Sequence, residues 1–400
     1  MARTRKTDSQ AATSRPASSS AVAPEAQSLD ELVSGSSVIV CSGSGGVGKT
    51  TTAAVLAMRA AMKGRRAVVV TIDPAKRLAD ALGLAGLTNE PAMVDGVWSG
   101  ELWAMMLDTK ATFDGLVTRH ARTEEQARTI LDNGFYQNIS SSLSGTQEYM
   151  ASEKLYELAV ESDYDLVVVD TPPTRNALDF LEAPQTLARF LDHRLYRVLV
   201  MPTKGIVKAV NLAAQTVMRS MAKVVGAEVI ADAMEFFAAF EGMDVGFKER
   251  AQHVDALLRR TETAFVLIAS PRADTVAEAT FFATELHRLD ISVRSLIVNR
   301  MSPVFDPTGR CEALLADSHL FDESMSGDSD LGHYARCLRE SNFAARGERE
   351  HLVGIADRVS PAPVIGVPEQ SFEVSDIESL TALSGVLFDP ESVLRVVSET

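Results

Sequence analysis

Cysteine is scarce: three of the 400 residues are cysteines, and they lie far apart at Cys41, Cys311 and Cys337. An odd number of thiols without CxxC spacing supplies neither a disulfide framework nor a zinc site, so a reducing cytoplasm is expected. Basic residues are also few, because 39 Lys and Arg stand against 54 Asp and Glu, and the net charge is −15. That balance argues against a nucleic-acid or anionic-membrane surface, which needs clustered Lys and Arg. No uncharged apolar run is long enough to predict a membrane-spanning helix.

Aromatic residues make up only 6% of the chain, although 46% of all residues are hydrophobic. A chain of this length, rich in Ala and Val, can bury the core of one large α/β domain with insertions, or of two domains. The first residues, 1–32, are mainly Ser, Ala, Thr and Pro with a few early basic residues. They predict a disordered tail rather than a transit peptide. Residues 391–400 are predicted to form a second, short tail.

Near its start the chain contains an unbroken glycine-rich run, GSGGVGKT, at residues 43–50. An apolar stretch (38–41) precedes it and an Ala-rich stretch (52–62) follows, which is the strand, loop and helix order of a P-loop. Glycines let backbone N–H groups turn toward phosphate oxygens. Lys49 supplies a cation for the β- and γ-phosphates, and the Thr50 hydroxyl a ligand for Mg²⁺. The alternative, an ordinary Gly-rich turn, is disfavoured because every fixed position is present. The predicted phosphate-binding residues are Gly43, Ser44, Gly45, Gly46, Val47, Gly48, Lys49, Thr50 and Thr51.

Predicted strands alternate with helical stretches along the rest of the chain. Several are near-continuous Val, Ile and Leu, as expected of parallel strands covered on both faces. They predict an α/β fold with a doubly wound, mostly parallel sheet and a nucleotide at the carboxyl ends of the strands. The strand candidates are Ala67–Ile72, Leu102–Leu107, Asp165–Asp170, Ala264–Ala269, Arg294–Val298 and Pro363–Val367.

The predicted core consists of two parts, 33–183 and 261–390. Between them, residues 184–260 contain no convincing strand and are predicted to form a helical insertion, broken near Pro202 and Gly242. Within the second part, residues 303–341 are rich in Asp, Ser and Gly and predict an acidic, partly mobile surface insertion.

Two carboxylates follow predicted strands that lie near the P-loop. Asp73 ends the strand at 67–72, and Asp170 ends the strand at 165–170. A carboxylate at the end of a buried strand is costly unless it meets a cation or hydrogen-bond donors. Two helix N-caps would be the structural alternative. Since both follow a P-loop, they favour an Mg²⁺ site in which Thr50 binds the ion and Asp170 acts through a water.

Taken together, these motifs resemble the ArsA family of deviant P-loop ATPases, of the SIMIBI type. That family includes the arsenite-pump ATPase and the eukaryotic ATPase that targets tail-anchored membrane proteins. The resemblance extends from Ser37 to about Leu383. It implies a magnesium-dependent ATP hydrolase, whose cofactors are ATP and Mg²⁺, that dimerises and closes over ATP at the subunit interface. Besides the P-loop it is carried by TIDPA at 71–75, DTPPT at 170–174, LDFL at 178–181, VNR at 298–300, VP at 367–368 and FEV at 372–374.

The resemblance also implies roles for individual residues. Asp73 resembles the catalytic carboxylate that orients or deprotonates the attacking water, working with Lys49 on the phosphates. Asn299 resembles the side chain that reads adenine, and Pro368 and Phe372 resemble residues that border the base. An amide can donate and accept at a purine edge at once. From its sequence context alone, Asn299 can equally be a turn residue at the end of a strand.

Three departures from the family pattern affect these expectations. Ser44 occupies the position of a family lysine that reaches the partner's phosphates, which predicts slower hydrolysis or a heterodimer whose partner supplies the cation. Arg175 and Asn176 replace a Gly-His pair, and Arg175 is either a substitute cation or an ordinary solvated side chain. The paired zinc cysteines and clustered metalloid thiols of the family are absent, and Cys41 is expected to be a small buried core residue.

The helical insertion is rich in Met and Phe between Met201 and Met243. Flexible thioethers suit a groove for a hydrophobic protein client, whereas a helix–helix core or dimer interface gives the same spacing. The sequence is therefore compatible with two functions. One is an ATPase, acting as a homodimer or heterodimer, that opens and closes around a partner or client. The alternative is a weakly hydrolysing, ATP-binding regulatory subunit paired with a related ATPase. A positioning ATPase of the MinD or ParA kind fits less well, because no basic DNA surface or terminal membrane helix is evident.

Overall fold

The computed structural model describes residues 27–72, 76–142, 146–172, 174–193, 227–305 and 330–394. Eight strands form one sheet in the order β3-β4-β2-β5-β1-β6-β7-β8. Neighbouring strands pair in parallel, except that β3 runs antiparallel to β4 at one edge. The strands are β1 Val38–Gly43, β2 Arg66–Thr71, β3 Ala92–Met93, β4 Glu101–Met106, β5 Leu166–Asp170, β6 Thr263–Ala269, β7 Val293–Met301 and β8 Val364–Pro368.

Helices cover both faces of this sheet, which confirms the predicted doubly wound α/β fold. Along β1, Val38 and Val40 join the apolar cluster on one face, whereas Ile39 and Cys41 join the cluster on the other. This alternation follows from the two-residue period of a strand. The helices are α1 Leu29–Gly35, α2 Lys49–Met62, α3 Lys76–Ala81, α4 Thr109–His120, α5 Glu124–Leu131, α6 Gly134–Ser142, α7 Thr146–Tyr156, α8 Thr174–Asp192, α9 Ala227–Ala239, α10 Asp244–Leu258, α11 Ala273–Arg288, α12 Asp330–Val359 and α13 Ile377–Leu387, with a π-helical turn at Glu157–Glu161 and a 3-10 turn at Pro390–Ser392.

The helical region is larger than the predicted insertion at 184–260. A third apolar cluster joins Leu116, Ile130 and Tyr136 from α4–α6 with Phe236 and Phe247 from α9 and α10. Helices α4–α7, assigned to the core from the sequence, therefore pack with the insertion. The insertion also has no boundary at Pro184, which lies inside α8. The predicted break at Gly242 separates α9 from α10, whereas the break near Pro202 lies outside the described residues.

Within this helical region, an ion-pair network joins α10 of the predicted insertion to α7. The Arg250 Nε of α10 donates to the Glu153 Oε1 of α7 at 2.6 Å, and the guanidinium also pairs with Glu161. The guanidinium lies 4.1 Å from the ring centroid of Tyr156. The side chains of Arg250 and Glu153 are only 9% and 1% exposed. Burial raises the pKa of Glu153 above its usual value, and the bond to Arg250 opposes that shift.

Three predicted boundaries are corrected by the structure. Helix α1 begins at Leu29 behind a capping box formed by Ser28, so residues 29–32 belong to the folded core rather than to the tail. Helix α12 begins at Asp330, so the end of the predicted acidic insertion is helical. At the C-terminus, Val393 forms a bridge with Ile365 of β8 and is not part of a tail. Residues 1–26, 306–329 and 395–400 lie outside the described part. No helix in the described ranges is long and apolar enough to cross a membrane.

Candidate nucleotide-binding site

The predicted phosphate loop connects the end of β1 to the start of α2. At Gly43, a Cβ would lie 2.0 Å from the carbonyl oxygen of Ile268 in the neighbouring strand β6, so only glycine fits. At Gly45 and Gly46, a Cβ would meet no described atom within 4 Å. The loop is therefore tightly packed where it leaves the sheet and open at Gly45 and Gly46.

Lys49 spans this loop. Its side chain is buried, and its Nζ donates to the carbonyl oxygen of Ser44 at 2.8 Å. Lys49 is also the first residue of α2, a helix of 14 residues with no acidic residue in its first turn. The ammonium group and the positive end of the helix dipole thus act on the same small region, as an anion site requires.

Thr50 and Asp170, the two predicted metal residues, lie in direct contact. The Thr50 Oγ1 donates to the Asp170 Oδ2 at 2.6 Å, and the Thr71 hydroxyl donates to the same oxygen at 3.2 Å. Asp170 is 1% exposed. Burial, aided by the negative charge of Asp170, raises the pKa of the neighbouring Cys41 thiol well above its usual value. A Cys41 held as a neutral thiol fits the expectation that it is a core residue.

These oxygen donors fit Mg²⁺. A Thr50 hydroxyl that donates its proton to Asp170 keeps its lone pairs for a cation, and Asp170 is then placed to hold a metal-bound water. Across the described residues, no cluster of three or more His, Cys, Asp or Glu side chains could bind a metal by itself. Mg²⁺ at this position would therefore also need oxygens from a ligand, as is usual where it accompanies phosphates.

Part of the predicted site falls outside the described residues. Asp73 lies in the gap at residues 73–75, and the side chains of Arg175 and Asn176 are likewise not described. The segment that precedes Arg175 and Asn176 is held against β1, because the Thr171 hydroxyl donates to the carbonyl oxygen of Cys41 at 2.8 Å.

Beside the phosphate loop lies a cleft of about 520 Å³, a volume within the range of small-ligand sites. Its lining includes Thr51, Asn299 and Phe372, three residues that the sequence predicted to bind nucleotide. Pro368 is not in the lining itself, but its carbonyl oxygen accepts from the Nε2 of Gln370 at 2.6 Å, and Gln370 lines the cleft. The lining also includes Arg300 and Glu373, which belong to the VNR and FEV motifs, and four polar residues that no sequence motif marked: Asp80, Glu369, Gln370 and Ser375.

Two further contacts tie the loop to distant segments. The Ser44 Oγ donates to the Glu278 Oε2 of α11 at 2.6 Å. The Asn299 Nδ2 donates to the carbonyl oxygen of Val47 at 2.9 Å, and the Asn299 Oδ1 accepts from the backbone N–H of Arg300 at 2.9 Å. No motif marks Glu278 in the sequence, because it lies 234 positions from Ser44.

Comparison with known proteins gives similarities over most of the chain. The profile of the family described as "Anion-transporting ATPase" matches residues 36–320. An "ATPase ASNA1 homolog" of Entamoeba dispar is 26% identical over 335 residues, which cover 76% of this chain and 92% of that protein. "ATPase ARSA2" of Chlamydomonas reinhardtii is 30% identical over 267 residues, covering 66% and 67%. "ATPase GET3A" of Arabidopsis thaliana is 27% identical over 263 residues, covering 65% of each chain.

Proposed function

Since this chain belongs to the anion-transporting ATPase family and hydrolyses ATP, we propose that it is a magnesium-dependent ATPase that works at a dimer interface. In this proposal, hydrolysis drives opening and closing around a partner or hydrophobic client. Membership confirms the ArsA resemblance that the motifs indicated. The phosphates would bind at the loop from Gly43 to Thr50, and the base would enter the cleft beside it.

The observation that carries the proposal is the 2.6 Å bond between Thr50 and Asp170, next to the buried ammonium group of Lys49. Phosphoryl transfer needs positioning and charge neutralisation more than covalent chemistry. Lys49 and the loop amides would neutralise and orient the phosphates. Thr50 would bind Mg²⁺, which neutralises charge on the β- and γ-phosphates when bound, and Asp170 would orient a water in its shell. Asp73 remains the proposed residue for activating the attacking water.

Asp170→Asn tests the metal arrangement. The substitution preserves shape but removes the charge, so the Mg²⁺ concentration needed for half-maximal ATP turnover should rise about 10- to 100-fold. Asp165→Asn is the matched control, since Asp165 lies just before the opposite end of the same strand and accepts from the Arg66 N–H. The Mg²⁺ dependence of ATP turnover by Asp165→Asn should match that of the unmodified chain. An Asp170→Asn protein with unchanged Mg²⁺ dependence would contradict the assigned role.

The dimer is proposed from the family resemblance and can be tested separately. Light scattering of the purified chain with a non-hydrolysable ATP analogue and Mg²⁺ should give twice the mass of one chain. A monomer under every nucleotide condition would exclude a homodimer and leave a heterodimer with a related ATPase.

One observation favours the second function, a regulatory subunit that binds ATP but hydrolyses it slowly. Where the family has a lysine, this chain presents a neutral hydroxyl that donates to the Glu278 carboxylate at 2.6 Å. The loop therefore adds no second cation. If that cation limits the rate, Ser44→Lys should raise turnover of the isolated chain and Ser44→Ala should not. A fast unmodified enzyme that Ser44→Lys does not accelerate would argue against the regulatory function.

The client hypothesis has mixed support from the described part of the insertion. Phe236 and Phe240 are buried in its apolar cluster, whereas Val229 and Met234 on α9 are 40% and 48% exposed. Met218 and Met221 lie outside the described residues. A client site predicts capture of an apolar helical peptide that depends on nucleotide and weakens in Met234→Asp. No capture with ATP, with ADP or without nucleotide would exclude it.

A further inference from the structure

Helix α12 is anchored in the core at one end and exposed at the other. Its C-terminal half packs into the apolar cluster on one face of the sheet, through Leu352 and Ile355 among others. Between residues 333 and 347, by contrast, only Asn342 and Ala345 are buried. The N-terminal half of the helix therefore presents most of its side chains to solvent.

One face of this half combines an aromatic ring with charges of both signs. Its members recur at intervals of three and four residues, so they lie along one stripe of the helix, turned away from the buried Ala345. Phe343, in the middle of the stripe, is 75% exposed. This outer face of α12 consists of Arg336, Arg339, Glu340, Phe343, Arg346 and Glu350, all of which are exposed.

The charges of the outer face are arranged around Phe343 with opposite signs at equal distances. Arg336 lies seven residues before Phe343 and Glu350 seven residues after it, while Glu340 lies three before and Arg346 three after. We propose that the outer face binds a second copy of the chain, with the two α12 helices packed antiparallel across a two-fold axis at Phe343. The inference rests on the proposed function, because it names the surface through which the proposed homodimer would form.

An antiparallel pair places opposite charges in contact. With the axis at Phe343, Arg336 of one copy faces Glu350 of the other, and Arg346 faces Glu340. Each contact occurs twice, because a two-fold interface uses the same patch on both copies. A parallel pair would set each arginine against its own counterpart, and like charges that face each other are destabilising. The charge pattern therefore selects both the second copy and the direction of its helix.

The remaining positions of the stripe are compatible with this pairing. Arg339 faces Gly347 of the other copy, where a Cβ would meet no described atom within 4 Å. A glycine at that point leaves room for the long arginine side chain. The two Phe343 rings meet at the axis, where aromatic pairs add attraction beyond the area that they bury.

The helix pair is one part of a larger interface. From Arg336 to Glu350 the outer face is about 21 Å long, at 1.5 Å per residue. One pair of helices of this length offers less area than the roughly 1,200–2,000 Å² of a stable, specific interface. The α12 pair therefore sets the orientation of the two copies, and closure over nucleotide supplies further contact.

Charge-swapped chains test the pairing directly. The first carries Arg336→Glu and Arg346→Glu, and the second carries Glu340→Arg and Glu350→Arg. Each alone sets like charges against each other, so its self-association should weaken about 10-fold or more. An equimolar mixture of the two should regain the association of the unmodified chain, because every facing pair again has opposite charges. Sedimentation velocity over a range of concentrations, with Mg²⁺ and a non-hydrolysable ATP analogue, measures this.

Phe343→Ala tests the centre of the stripe and should weaken self-association about 10-fold. Tyr334→Ala is the matched control, since Tyr334 is a 73% exposed aromatic residue of the same helix that lies outside the outer face. Its self-association should equal that of the unmodified chain.

Self-association of either swapped chain at unmodified strength would overturn the inference, as would a mixture that stays monomeric. An unmodified chain that binds the analogue but remains monomeric would also overturn it, while leaving the proposed nucleotide site intact. Analogue binding is therefore measured separately for every chain, and none of the substituted residues lies in that site. If the unmodified chain binds no nucleotide, the proposed function fails, and the α12 pairing is still decided by the association of the same chains.

Discussion

Replacing Arg250 with methionine is expected to destabilise the protein by about 3–5 kcal/mol, because it breaks a buried ion pair and leaves a buried carboxylate without its hydrogen-bonded partner. That carboxylate belongs to Glu153, whose side chain is 1% exposed. Its remaining ion pair, with the 43% exposed Arg119, is 4.0 Å long and compensates only weakly. Glu161, the other carboxylate of the network, is 37% exposed and can be hydrated. The cost therefore comes mainly from Glu153. Methionine retains much of the apolar stem, so packing changes least.

The pH dependence of this deficit follows from the direction of the Glu153 pKa. Burial raises that pKa above its unfolded value, so the protonated carboxyl favours the folded state and stability falls as the pH rises through the folded pKa. Without Arg250, the pKa should rise further. The deficit of Arg250→Met should therefore be largest near pH 8 and smaller near pH 5, where Glu153 can take up a proton on folding.

Urea unfolding at both pH values, followed by the helical signal, measures the deficit. The double variant Arg250→Met with Glu153→Gln should recover most of the loss at pH 8, since no buried charge remains. Arg259→Met is the matched control, because Arg259 makes a solvent-accessible pair with Asp255 at 3.3 Å, worth less than about 1 kcal/mol. An Arg250→Met protein as stable as the control, or equally destabilised at both pH values, would refute this reasoning.

Two other predictions follow from local packing. Gly43→Ala places a Cβ 2.0 Å from a carbonyl oxygen of β6, so it should abolish ATP binding and lower the melting temperature. Gly45→Ala is the control, because its Cβ would meet no described atom within 4 Å and the melting temperature should not change. Equal melting temperatures for the two variants would contradict the packing described at Gly43. A thiol reagent should modify the exposed Cys337 in the folded protein, but the buried Cys41 only after denaturation. Peptide mapping of the modified protein measures this difference. Rapid modification of Cys41 in the folded protein would show that β1 is more accessible than its burial implies.

The sequence predicts the sheet well because its buried strands are near-continuous apolar runs. Strands β2 and β4 begin and end one residue earlier than predicted, β5 begins one residue later, and β7 runs on to Met301. Strand β3 has two residues and no periodic signal, so it could not be found. The packing of α4–α7 against the insertion was also missed, because helical periodicity reveals an apolar face but not its partner.

For the candidate site, the sequence identified the loop and the Thr50–Asp170 pair, since each has a local motif. It could not place Glu278, which meets Ser44 only through the fold. It also could not tell that the amide of Asn299 faces Val47, because side-chain orientation depends on the irregular end of β7. Contacts between distant segments are set by tertiary packing, so a single sequence does not reveal them.

The cleft is lined by residues that lie far apart in the sequence, among them Gly48 and Phe372. During synthesis, the glycine loop leaves the ribosome hundreds of residues before the aromatic ring that lines the same cleft. A nascent chain should therefore be unable to retain nucleotide until the segment that contains Phe372 has been synthesised and folded. Ligand binding would then distinguish polypeptides that include this segment from those that stop before it.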